Sequence, residues 1–215
     1  KITIPEGLST ISVIHRINND PRIRGDLISF SEEGVLAPNT YSFDITTKKK
    51  DLFLKMKNNQ ERILEAAWDN RDPDLPLKNA MELLILASIV EKEASDEEDK
   101  KKVASVFLNR LKKKMRLQSD PTVVYSLKMG REPLNRELNR SDLKTKSPFN
   151  TYKIDGLPPS PICNPSKSSI HAVSNPIKTD FLFFVANGEG RHNFSKDLNQ
   201  HNRFVKEYRR LKIEN

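Results

Sequence analysis

The chain has 215 residues, with 37 Lys+Arg against 29 Asp+Glu, a formal net charge of +8 and a pI near 9.5. Its 36% hydrophobic and 31% charged residues fit a folded chain of one or two domains and exclude wholesale disorder. The single cysteine, Cys163, excludes an internal disulfide framework and multi-cysteine metal sites, and seven glycines argue against a phosphate-cradling loop.

Lys1 to Pro5 reads as a strand, followed by a helix over about 9–18 with Ile11, Ile14 and Ile17 three apart. Residues 33–43 read as a turn-rich, packed loop, and helical periodicity returns over 51–68. After a Pro-containing break at 71–76, a helix over 78–92 is apolar nearly all round and belongs in the core. Its run from Leu83 to Val90 is far shorter than the roughly 20 residues of a membrane span. Ser95 with Glu98 reads as a capping box that opens a helix to about 114. On that helix Asp96/Lys100, Glu97/Lys101 and Glu98/Lys102 are spaced as i,i+4 ion pairs. Asp120-Pro121 reads as N-cap and first-turn proline of the next helix, and Asn164-Pro165 repeats that pattern. Residues 147–165 are extended, 181–185 form a strand, 187–190 a turn, and 197–211 a closing amphipathic helix. This order predicts a mainly helical α+β fold.

Two carboxylates, Glu91 and Glu93, end the most apolar helix. Burial disfavours a charged carboxylate, and a raised pKa is what a general acid needs near neutral pH. Two residues apart, the pair points to opposite sides of the helix, so they cannot share one role. Glu93 follows the apolar Leu86, Ile89 and Val90, whereas Glu91 follows Leu84, Ala87 and Ser88, which makes Glu93 the better protonated acid. The competing reading leaves both as solvated residues at a helix end. Asp120 fits an N-cap better than a catalyst. The four histidines lack metal-ligand spacing, and His192 draws interest only because it follows the Gly188–Gly190 turn. Cys163 reads as a small packing residue. The runs Lys48–Lys50, Lys100–Lys102 and Lys112–Lys114 read as solvated faces, with nucleic-acid contact the lesser reading.

Several blocks resemble the bacterial endolytic murein transglycosylases: Leu86–Glu93, Val103–Arg110, Leu117–Thr122, Ser147–Tyr152, Gly156–Pro159, Phe183–Gly188 and His192–Phe194, with Gly34–Tyr41 upstream. They occur in family order from about residue 34 to 202. The resemblance implies a lysozyme-like, mainly helical catalytic domain with a small sheet over 46–215. It implies that 1–45 holds the end of a LysM-like subdomain and its connection. It further implies an enzyme anchored in the inner (plasma) membrane by one N-terminal transmembrane helix, absent from this sequence, with the catalytic domain in the periplasm or outside the cytoplasm. Such an enzyme cleaves nascent peptidoglycan strands internally to leave 1,6-anhydro ends, ends strand elongation, needs no cofactor or metal, and works beside peptidoglycan synthases. By motif the catalytic glutamate falls on Glu93. Glu91 has a supporting role, Asn150 orients substrate, and Gln118, Tyr125, Thr151, Tyr152 and His192 are further cleft candidates. Phe149 stands where Tyr is common. Ala94 stands where Ser or Thr follows the acid, so Ser95 is left either to supply that hydroxyl or to cap the helix. The alternative is a non-catalytic peptidoglycan-binding scaffold of the wall-synthesis machinery.

Overall fold

A computed structural model describes residues 1–29 and 32–214. Among them lie seven α-helices, one short 3-10 turn at 142–144, and two antiparallel two-stranded sheets. The predicted α+β class holds, with two small sheets where one was expected. No helix among the described residues is long and apolar enough to cross a membrane.

The first sheet pairs β1 (Ile2–Ile4) with β2 (Asn39–Tyr41), Ile2 opposite Tyr41 and Ile4 opposite Asn39. Between them α1 (Thr10–Asn18) is capped by Ser9, whose hydroxyl accepts from the Ser12 amide. Ile2, Ile4, Val13, Ile17, Leu36 and Tyr41 form a small buried cluster, to which α2 (Lys49–Asp69) adds Leu52 and Met56. The smaller core thus takes residues from both sides of position 45.

The larger core is built on α3 (Ala80–Glu93), capped by Asn79 and buried continuously from Leu83 to Val90. It packs against α2, α4 (Glu97–Lys112), α5 (Asp120–Lys128) and α6 (Lys167–Ser174). The second sheet, β3 (Phe183–Ala186) with β4 (His192–Ser195), lies against α4 and α7 (Leu198–Glu214). Cys163 packs as expected: it is buried, and its thiol donates to the Ser88 carbonyl.

Several local readings shift. Asp96, not Ser95, caps α4 by accepting from the Glu98 and Asp99 amides. Only Glu98–Lys102 of the three expected pairs forms, at 2.7 Å; Asp96 meets Arg191 instead, and Lys100 turns inward. Lys49 and Lys100 are buried, so two of the lysine runs are not wholly solvated. Ser119 takes the cap position before α5, with Asp120 and Pro121 in its first turn. Ser166 caps α6, which frees Asn164 for a different task.

Candidate active site

Glu93 is the last residue of α3. Ala94 turns extended (φ −136°, ψ 142°), and the chain leaves the helix there, so the Glu93 side chain projects from the end of a rigid apolar rod. It lines a cavity of about 330 Å³ with Arg110, Gln118, Asp120, Tyr152, Phe183 and His201. The Ser119 hydroxyl donates to Glu93 Oε1 at 2.6 Å. Burial pushes the Glu93 pKa up to about 7; the Ser119 hydrogen bond opposes that rise, the nearby Asp120 charge adds to it, and Arg110 opposes it more weakly.

The surroundings of Glu93 are held by long-range hydrogen bonds. Thr151 Oγ1 accepts from the Ser119 amide at 2.9 Å and bonds Thr122 Oγ1 at 2.8 Å, which fixes the serine under the acid. Gln118 occupies the left-handed region at φ 49°, its amide donating to the Thr151 carbonyl. Such a conformation costs a non-glycine residue about 1–3 kcal/mol and occurs most where surrounding structure enforces it. The Tyr152 hydroxyl donates to Asp120 Oδ1 at 2.6 Å. Burial, reinforced by Asp120, raises the phenol's pKa, so it stays protonated as a donor. Arg110 is buried, with Nε on the Leu182 carbonyl (2.7 Å) and a terminal nitrogen on that of Leu117 (2.6 Å), tying β3 to the cavity wall. His201 stacks on Phe183, and its Nδ1 is buried with no hydrogen-bond partner among the described residues. Burial, with help from Arg110, lowers its pKa and favours the neutral ring.

Of the residues singled out in the sequence, Glu93, Gln118 and Tyr152 meet in this cavity. Thr151 supports it from behind. Glu91 does not line it: its carboxylate accepts from the Ser166 amide and the Ser166 and Ser169 hydroxyls, and pairs with Lys100 at 3.2 Å. Burial alone would raise the Glu91 pKa, but these donors outweigh it and hold the carboxyl below its ordinary value, which suits a charged brace between α3, α4 and α6. Asn150 is fully buried; its amide donates to the Leu143 and Thr145 carbonyls and its oxygen accepts from the Tyr152 amide, so it shapes the loop rather than facing the cavity. Tyr125 bonds Glu33 and packs on Phe149 beside a second cavity. His192 pairs with the buried Asp99 at 2.9 Å, against the rings of Phe184 and Phe194, outside the Glu93 cavity.

Sequence reasoning missed Ser119, Arg110 and His201, and gave Asp120 only a capping role. Arg110 carried a signal: it falls on the face of Val103, Val106 and Phe107, where a charge must find buried partners. Ser119 lies within the Leu117–Thr122 block, but nothing local marks its contact with Glu93, since the two are 26 residues apart. Ser95, left by the sequence to supply a hydroxyl or to cap α4, is exposed and is not the cap, and the hydroxyl that meets Glu93 belongs to Ser119.

These features define an α+β protein with one shielded carboxyl of near-neutral pKa in an aromatic-walled cavity. The model of the YceG-like family matches residues 1–207, and the chain belongs to that family. It is 41% identical over 177 residues to the endolytic murein transglycosylase of Bacillus subtilis (strain 168), covering 82% of this chain and 48% of the relative. Identity is 35% over 184 residues to the protein of the same name from Streptococcus pneumoniae (strain D39), covering 84% of this chain and 33% of the relative. The chain thus spans about half or less of these relatives' length. A crystal structure of a yceG-like protein from Listeria monocytogenes superposes with a TM-score of 0.76 at 33% identity, over 94% of this chain and 75% of that one.

Proposed function

We propose that this chain is the catalytic part of an endolytic peptidoglycan transglycosylase with Glu93 as its single acid and base. The observation that carries the reading is the Glu93 pKa of about 7 in a cavity, which keeps much of the carboxyl protonated at neutral pH. With Oε1 engaged by Ser119, Oε2 gives its proton to the glycosidic oxygen between N-acetylmuramic acid and N-acetylglucosamine. The C1–O bond breaks, and the sugar's 4-hydroxyl leaves. The Glu93 carboxylate then takes the proton of the muramoyl C6 hydroxyl as O6 bonds C1, closing the 1,6-anhydro ring. No water is consumed, and the glutamic acid is regenerated. Arg110 and Ser119 favour the transient carboxylate.

The names of the relatives, endolytic murein transglycosylases, support this substrate. We place the enzyme at the inner membrane, facing the periplasm or cell exterior, with an anchor upstream of Lys1, a LysM-like portion over 1–45 and the catalytic domain over 46–215. Peptidoglycan synthases are its natural partners, since ending a nascent strand requires access to it. A silent scaffold is disfavoured, because an unused buried acid would only cost stability.

One observation favours a second reading. Asp120 shares the cavity, and a second carboxylate can activate water and give hydrolysis instead. Mass spectrometry of muropeptides released from isolated sacculi separates the two: anhydro ends support the transglycosylase, reducing ends the hydrolase. Glu93→Gln is expected to lower product formation by about 10²–10⁴-fold with sacculus binding retained. Near-normal product from that variant would remove Glu93 from the mechanism.

A further inference from the structure

A second cavity, of about 320 Å³, lies between α1, the end of α3 and α5. It draws on the same two segments as the first, by neighbouring residues: Lys92 lines this cavity and Glu93 the first, and Pro121 lines this cavity and Asp120 the first. Its floor is apolar, built from Val124, Tyr125 and Ile162. Its rim carries Lys92, Lys128 and Arg131 against the single carboxylate Glu132. Glu132 is taken by Lys128 at 3.0 Å, and Arg131 makes no ion pair among the described residues. An apolar floor under an excess of cations fits a small ligand with methyl groups and carboxylates.

We propose that this cavity binds the peptide stem of the muramoyl unit held at Glu93. The inference rests on the function proposed above. The stem leaves the sugar through the lactyl group on C3 of the ring whose C1–O bond breaks. Its first residues therefore lie within a few bonds of the acid, where this cavity opens. Alanine methyl groups pack on Val124, Tyr125 and Ile162, and the stem carboxylates meet Arg131, Lys128 and Lys92. The Tyr125 ring is kept in place by its hydrogen bond to buried Glu33 and by Phe149, so this wall is formed before the ligand arrives. Strands bearing stems would then be cleaved in preference to bare ones, and processing of the stems by an amidase would slow later cleavage.

The test uses Lys128→Glu/Arg131→Glu and the milder Arg131→Ala. Calorimetric titration compares the muramoyl tetrapeptide with plain N-acetylmuramic acid. Turnover compares stem-bearing glycan strands with amidase-denuded ones. The expected result is that the double variant weakens tetrapeptide binding about tenfold relative to plain sugar, and lowers the stem-bearing to denuded turnover ratio by a similar factor. Arg131→Ala should show the same trend to a smaller extent. An unchanged ratio, or equal weakening for both ligands, overturns the proposal. Absence of product from wild-type protein on either strand, with tetrapeptide binding still lost in the variants, would sink the proposed function and leave the stem site standing.

Discussion

At the residue scale, Glu93 and Glu91 show how two like side chains on one helix acquire opposite states. Glu91 meets three hydrogen-bond donors and an ammonium group, and stays charged. Glu93 meets one hydroxyl in a shielded cavity beside another carboxylate, and holds its proton to about pH 7. Because the folded-state pKa lies above the ordinary 4.5, the folded protein binds this proton more tightly than the unfolded chain. Stability from this group is therefore full below about pH 4.5 and is lost as the pH rises through 7. Glu93→Gln, which cannot ionise, is expected to be more stable than wild type by about 1–3 kcal/mol at pH 8, with the gap closing near pH 4.5. Denaturant melts at the two pH values check this. Ser119→Ala removes a bond that favours the carboxylate, so the Glu93 pKa should climb further. The descending limb of the pH–rate profile is then expected to move to higher pH while the maximal rate falls several-fold. A limb that stays in place would mean that Ser119 does not act on the acid.

Elements differ in how far the sequence reveals them, and the reason is range. The helices α1 to α5 are legible because apolar spacing and caps are local, and the placement of Glu93 follows from the apolar run that ends in it. The strand β2, three residues long, exists through pairing with β1 from the far side of α1, whereas β4 pairs with neighbouring β3 across the turn at 187–191, and its four residues are too few to show an alternation. The i,i+4 spacing misleads at Lys100 because a longer-range partner, Glu91, offers a buried carboxylate with its own donors. That pair joins α3 to α4, with Ser166 and Ser168 of the α6 end also bonded to Lys100. Removing one member strands the other charge away from water. Lys100→Met is expected to cost about 3–5 kcal/mol, and Lys100→Met/Glu91→Met distinctly less than the two single losses added together. A double-mutant cycle by denaturant unfolding measures it. Additive losses would show that the two side chains stand independently.

Across the whole molecule, two cores are joined by a few buried polar side chains. Asn164 is fully buried; its oxygen accepts from the Leu36 amide, and its amide donates to the Leu8 carbonyl and Thr10 hydroxyl. Its own backbone bonds Gly7 and Leu8, so one residue of the larger lobe satisfies much of the N-terminal segment. Gln60 adds bonds to the Gly34 and Pro165 carbonyls, and Glu33 accepts from the Thr10 amide and the Tyr125 hydroxyl. The stem-binding cavity proposed above lies along this seam, since Leu8 and Ser9 line it together with Tyr125 and Lys128. Its shape thus depends on the two cores staying docked. Asn164→Ala leaves buried groups on both sides without partners, at about 1–3 kcal/mol for each group that water cannot reach. The two cores can be followed separately: Trp68, the single tryptophan, packs on the larger one, and Trp68→Phe/Phe53→Trp moves the reporter to the smaller, against which Phe53 packs. With Asn164 intact, the fluorescence of the two reporters is expected to change together in urea, as in one cooperative unit. With Asn164→Ala the signal of the smaller core should be lost first, and activity on stem-bearing strands should follow it, while the Trp68 transition moves less. Coincident transitions in the variant would mean that Gln60 and Glu33 suffice to couple the cores, and that Asn164 contributes to overall stability without being the link between them.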